Sequence, residues 1–168
     1  VETFPFENLD ATQAIGFEAE LNYTFNNKLN VMLNMSKFSS LYKNKYSSNG
    51  QFLSTRYNVQ LPNEPFFTAN GNVQYTMNNI IKKKSTLNLF YYFGYVHPFN
   101  TIWAKSEHFM TPPQFIQDLG ASYVFPNKKI VVSFDAKNIF NREAYDNFAV
   151  QKPGRAFYLK LNYTINNF

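Results

Sequence analysis

Near the end of the chain Phe157, Leu159, Leu161, Tyr163 and Ile165 are large and apolar, while Tyr158, Lys160, Asn162 and Thr164 separate them. A period of two marks a β-strand, whose successive side chains point to opposite faces of a sheet. The same alternation predicts six earlier strands, at residues 13–25, 29–41, 65–77, 85–96, 115–125 and 129–138, with the closing one at 157–165. The first sets Phe17, Ala19, Leu21, Tyr23 and Phe25 against Glu18, Glu20, Asn22 and Thr24. The fourth sets Leu87, Leu89, Tyr91, Phe93 and Tyr95 against a face that begins with Thr86 and Asn88. The sixth opposes Ile130, Val132, Phe134 and Ala136 to Val131, Ser133, Asp135 and Lys137. Several of these runs exceed the roughly 5–6 residues of a globular strand and approach the 9–11 of a membrane-crossing one. No stretch has a convincing helical period. The fold expected is an all-β, antiparallel up-and-down meander of seven long strands in one domain, 1–168.

The connections alternate in kind. Residues 26–28, 78–84 and 126–129 are short and rich in the Asn and Pro that turns favour. Residues 42–64, 97–114 and 139–154 are long and rich in Tyr, Phe, Asn and Pro. One rim of the sheet therefore carries tight turns and the other carries long loops.

Alternation alone does not say what each face meets. A soluble, lipocalin-like barrel turns its apolar face inward around a ligand. An outer-membrane barrel turns it toward lipid and keeps a polar lumen. The second fits three features: a polar face of Asn and Thr rather than dense Lys and Glu, aromatics gathered near strand ends, and the loop asymmetry itself. On that reading Phe17, Leu21, Leu33, Leu89, Phe134 and Leu159 point to lipid. Glu18, Glu20, Asn34, Asn72, Asn88, Asp135, Lys137, Lys160 and Arg155 point to the lumen. With periplasmic short turns, the first and last strands both run toward the periplasm. Seven strands that start outside do not close, so a portion of a larger barrel is expected rather than a complete small one.

Composition agrees with β structure. The chain has 168 residues, 19 Phe and 12 Tyr among them, yet its mean hydropathy is -0.37. The absence of cysteine excludes a disulfide framework and thiolate metal sites. No run reaches the roughly 20 apolar residues of a spanning helix. Lacking an initiating Met and a signal peptide, the chain reads as a mature or excised piece. The net charge is +5, but the lysines are scattered or confined to the Lys82-Lys83-Lys84 turn, so no nucleic-acid partner is expected.

No catalytic constellation, Gly-rich phosphate loop or zinc motif occurs, so neither an enzyme nor a cofactor is expected. His97 and His108 share one loop without ligating partners and read as surface histidines, or as contacts to a metal complex. The loop aromatics are the substrate-contact candidates: Tyr42, Tyr46, Tyr57, Phe99, Trp103, Phe109, Tyr145 and Phe148. Aromatic rings on loops of a rigid scaffold supply large contact area at low entropic cost.

Four stretches give the chain a family likeness: "FENLDATQAIGFEAELNYTF", "LPNEPFFTANGNVQYTM", "DLGASYVFPNKKIVVSFDAKNIFNREAYDN" and "KPGRAFYLKLNYTI". In order and spacing they resemble the C-terminal part of a TonB-dependent outer-membrane receptor. The matching details are Gly16-Phe17-Glu18 within a strand, Leu61 to Pro65 opening a later one, Asn138 to Asn141 closing the penultimate one, and Gly154-Arg155 opening the last. The resemblance implies a 22-stranded barrel with an N-terminal plug that contacts TonB, importing a scarce nutrient, foremost a ferric siderophore or similar metal complex. Carbohydrate or peptide import, and a self-contained small barrel, are the alternatives. Its implied partners are outer-membrane lipid, the plug and remaining strands, the TonB complex and a small-molecule nutrient. The likeness departs at the end, where Ile165 holds the in-phase place of the family's terminal aromatic and Phe168 falls out of phase.

Overall fold

The computed structural model describes residues 11–46, 50, 53–103, 107–146 and 150–165. Seven strands follow one another: β1 (Thr12–Phe25), β2 (Leu29–Tyr42), β3 (Phe67–Asn78), β4 (Thr86–Val96), β5 (Gln114–Val124), β6 (Ile130–Lys137) and β7 (Ala156–Tyr163). A single 3₁₀ turn, Glu107–Phe109, lies in the loop between β4 and β5. Each strand pairs antiparallel with its sequence neighbour, in the order β1-β2-β3-β4-β5-β6-β7. The expected meander is the observed one. Several strand limits shift from the periodicity by one or two residues. β3 begins at Phe67 rather than at residue 65, because Pro65 has no N–H to give to a ladder. β6 stops at Lys137 because Asn138 turns left-handed, with φ 48°.

The turns account for the register. Asn26 and Asn27 both have positive φ, and the Lys28 amide donates to the Phe25 carbonyl at 3.0 Å. Positive φ at both central residues gives the turn whose twist matches that of paired strands. The wider turn between β3 and β4 folds over Ser85, which is 1% exposed and whose hydroxyl donates to the Lys82 carbonyl at 2.6 Å. Asn79 closes it by accepting the Lys84 amide on its side chain.

The registers keep the two faces distinct across the whole sheet. One row runs Leu21–Leu33–Gly71–Phe93, and the next on the same face runs Tyr23–Val31–Val73–Tyr91–Leu119–Ala136–Phe157. At Gly71 a Cβ would run into the Phe93 ring and the Leu33 side chain, so only glycine lets that ring lie across the strand. Gln117, a polar residue on this face, accepts the Tyr91 hydroxyl at 2.7 Å.

The opposite face is tied by side-chain hydrogen bonds across strands. Ser36 donates to Glu18 at 3.1 Å, Asn34 to Asn70 at 3.3 Å, Thr76 to Asn88 at 2.9 Å and Ser133 to Ser122 at 3.2 Å. Lys160 pairs with Asp135 at 3.5 Å. The Asn and Thr of the polar face thus form a chain of short links that needs little charge.

The sheet is a single layer. Among the described residues no strand touches any but its sequence neighbours, and β1 does not meet β7. Its apolar face is uncovered: Leu89 is 40% exposed and Leu159 76%. A sheet in water buries such a face under a second layer, and a lipocalin-like barrel would enclose it. Lipid is the surrounding that leaves it as it stands. Rings collect at the loop rim of this face, where Phe67 lies 5.9 Å from Tyr95 and Tyr95 6.4 Å from Phe115. At the turn rim Tyr123 and Phe125 meet edge-on at 4.9 Å. Aromatic rings gathered at both rims of an apolar face suit the girdles of a membrane barrel.

Leu89→Arg places a charge on the apolar face between the two rims and should lower stability in phospholipid vesicles by about 2–4 kcal/mol, read by urea unfolding of the full-length protein. Unchanged stability would put Leu89 on the wrong side of the sheet.

Candidate functional site

All three long connections leave the same rim, at the ends of β2, β4 and β6. Each is structured by hydrogen bonds to backbone and polar side-chain groups. In the first, the Tyr42 amide donates to the Val59 carbonyl at 3.0 Å and the Asn58 amide returns to Tyr42 at 2.8 Å. In the second, the Thr111 amide donates to the Phe99 carbonyl at 2.9 Å, and the Thr111 hydroxyl accepts the Phe99 amide at 3.1 Å. The Asn63 amide reaches the Asn100 carbonyl at 2.8 Å and joins these two loops.

The third connection is built on Asn138 and Asn141. Asn138 is 5% exposed. Its side-chain oxygen accepts the Arg142 amide at 2.9 Å, and its side-chain nitrogen donates to the Arg142 carbonyl at 2.7 Å. Its own amide donates to Asp118 at 2.8 Å, and the other oxygen of Asp118 takes Lys137 at 2.9 Å. Asn141 accepts the Arg155 amide at 2.9 Å, pinning the start of β7 to the end of β6. A Cβ on Gly154 would come within 2.7 Å of that Asn141 oxygen, so the close approach calls for glycine. The "NIFN" and "GR" stretches of the sequence are thus two halves of one clasp.

Of the ten loop candidates, five gather in two places. Tyr42 and Trp103 meet edge-on at 5.5 Å, and the Arg56 guanidinium lies 5.0 Å from the Trp103 ring. This cation–π and aromatic contact joins the first and second loops. His108, Phe109 and Tyr145 line one pocket of about 200 Å³ with Thr101 and Thr111. The Tyr145 hydroxyl donates to Glu143 at 3.0 Å, which holds its phenol above the ordinary range and keeps it a donor. Its amide donates to Gln114 at 2.8 Å.

The remaining candidates stand apart. His97 sits edge-on to Phe66 at 6.5 Å. Tyr46 pairs with Leu53 in an isolated bridge, and Tyr57 is exposed. Phe99 is 6% exposed and forms the core of its loop, so its ring is a packing group rather than a contact surface. Phe148 lies outside the described residues. Among the described residues no three His, Asp or Glu side chains gather as a metal cluster would require.

On the polar face, Glu18, Glu20, Asp135, Lys137 and Lys160 fall where alternation puts them, with Glu20 bonded to Asn22. Arg155 does not join them. It shares the parity of Phe157, and its guanidinium lies 5.9 Å from that ring, on the apolar side. Below the third loop this face holds a hollow of about 370 Å³, walled by Tyr92 and Tyr158 and floored by Asp118 and Lys137. Gln114, 3% exposed, and Lys152 also line it. Asp118, Gln114, Thr111 and Asn138 carry the rim's polar architecture, and only their tertiary partners single them out. The one sequence signal was Asn density, which alternation reads as loop.

Asn138→Ala should cost about 2–3 kcal/mol in urea unfolding, since it removes two hydrogen bonds and leaves alanine at a left-handed position. Asn138→Gly should recover about 1 kcal/mol of that, because glycine accepts the positive φ. Equal losses for both would leave the backbone conformation without a role.

Comparison with known proteins agrees with this architecture. The chain superposes on the crystal structure of the siderophore receptor PiuA from Acinetobacter baumannii with a TM-score of 0.69 at 19% identity, over 90% of this chain and 22% of that one. The chain therefore spans less than a quarter of that receptor's length. No curated protein sequence matches it. The model of the outer membrane protein beta-barrel family matches residues 1–166. The chain belongs to the outer membrane protein beta-barrel family, and its sheet lies in the outer membrane.

Proposed function

We propose that this chain forms the C-terminal strands of the 22-stranded barrel of a TonB-dependent outer-membrane receptor that imports a ferric siderophore or a similar metal complex. The observation that carries the reading is the open sheet, with apolar side chains exposed along β1 and β7 and no contact between those two strands. In hydrocarbon an unpaired strand edge costs several kcal/mol for each unsatisfied group. Further strands must therefore take both edges. The likeness to part of a siderophore receptor barrel supports a large pore rather than a small one.

On this reading the long loops face outward. The Tyr42–Trp103–Arg56 contact and the His108–Phe109–Tyr145 pocket offer rings and donors to an incoming complex. The polar face meets a plug that couples to TonB, and the Ser36–Glu18 and Lys160–Asp135 pairs form part of its wall. The metal complex is cargo, and the reading assigns the chain no chemical step.

Expressed alone, residues 1–168 should aggregate or stay unfolded in detergent. In the full-length protein the amides of β1 and β7 should resist hydrogen exchange as strongly as those of β4. A monomeric, heat-modifiable barrel formed by the 168 residues alone would refute the shared-barrel reading.

Under iron limitation, cells lacking the full-length protein should lose uptake of its radiolabelled ferric siderophore, and removal of TonB should abolish the same uptake. Uptake that survives loss of TonB would refute the transport mechanism, and a carbohydrate or peptide growth defect in its place would reassign the cargo.

A further inference from the structure

Across the described strands β1–β7, the apolar face carries one charged side chain, Lys37. It pairs with Phe17 on one side and Phe67 on the other, level with the aromatic band at the loop rim. It is exposed, and among the described residues it has no carboxylate partner. Its ammonium lies 5.0 Å from the centre of the Phe66 ring. A ring face takes up one side of an ammonium, which has three N–H donors, so donors remain directed away from the sheet.

Below Lys37 on the same face opens a groove of about 360 Å³. Ala19, Leu33, Met35, Phe67, Ala69 and Phe93 line it. Met35 is the next residue of this face along β2, about 7 Å away at the rise of a strand. Phe67, the register partner of Lys37, forms the groove's upper wall. The small side chains of Ala19 and Ala69, flanking Met35 in one row, leave the depression.

A lone cation is costly at the centre of a bilayer and nearly free at its interface, where it reaches the headgroups. The placement of Lys37 at the ring band, directly over an apolar groove, is the complement of a lipid with an anionic head above and a hydrocarbon chain below. We propose that Lys37 and the groove beneath it hold a phosphate-bearing lipid of the leaflet on the long-loop side, the phosphate on the ammonium and one acyl chain along Met35 and Ala69. This site lies on the outer wall. It rests on the family's membrane setting and stands or falls separately from the transported substrate.

The test uses the full-length protein, delipidated in detergent and offered either bisphosphorylated lipid A or lipid A of the same acyl pattern with its phosphates removed. Native mass spectrometry counts the retained lipid. The wild-type protein should retain the phosphorylated form about fivefold better, the discrimination expected from one lysine at a charged interface. Lys37→Gln should abolish that preference and Lys37→Arg should keep it, while Lys83→Gln on the turn rim should change nothing. Ala69→Leu, which fills the groove, should lower retention of both forms. Equal retention of both lipids by the wild-type protein overturns the proposal without recourse to any variant. So does a preference that survives Lys37→Gln, or one that Lys83→Gln removes equally. Iron uptake by the same Lys37→Gln cells separates this site from the transport reading.

Discussion

Backbone hydrogen bonding in a medium without water is the constraint on which the rest of this structure depends. Every N–H and C=O that enters hydrocarbon needs a protein partner, and a strand finds its partners only in neighbouring strands. Six antiparallel ladders meet that need between β1 and β7. The sheet consequently needs no second layer, and the described residues form none. What a globular protein achieves by burying a core is achieved here by pairing, with lipid taking the place of the core on one face.

The two faces answer to different demands. The apolar one needs bulk with little charge, and its polar Gln117 is satisfied by the Tyr91 hydroxyl. The polar one needs cohesion with little ionic cost. Short Asn, Thr and Ser links reach across the strand spacing, and the exposed Lys160–Asp135 pair adds little, because solvent screens such pairs to about 0–1 kcal/mol. The aromatic bands mark the two levels at which one demand gives way to the other.

The loop rim is held by a different device. Its order comes from a few buried or half-buried polar side chains that satisfy backbone groups: Asp118 under Asn138, Gln114 under Tyr145, Thr111 under Phe99. These anchor long connections to the top of a rigid sheet and leave aromatic side chains outside. Loops pinned at their bases and free at their surfaces suit recognition better than loose ones, since less conformational entropy is lost on contact.

Alternation by itself determined the strands, their number, their antiparallel order and the identity of each face, from Phe17 and Glu18 in β1 to Leu159 and Lys160 in β7. It could do so because a period of two is a local property, and because three short turns join their strands in antiparallel pairs. The structure alone decided what depends on residues distant in sequence. Asp118 and Asn138 lie 20 positions apart and form one clasp, as do Asn141 and Arg155 across 14. Phe99 looked like a contact residue and is buried at 6% exposure, its backbone bonded to Thr111, 12 positions on. Arg155 looked like a lumen residue and rests on Phe157, because a side chain just outside a strand still obeys that strand's parity. The isolation of Lys37 emerged only once the registers had placed six other strands beside it. Local sequence fixes which way a side chain points, and pairing alone fixes what it meets there.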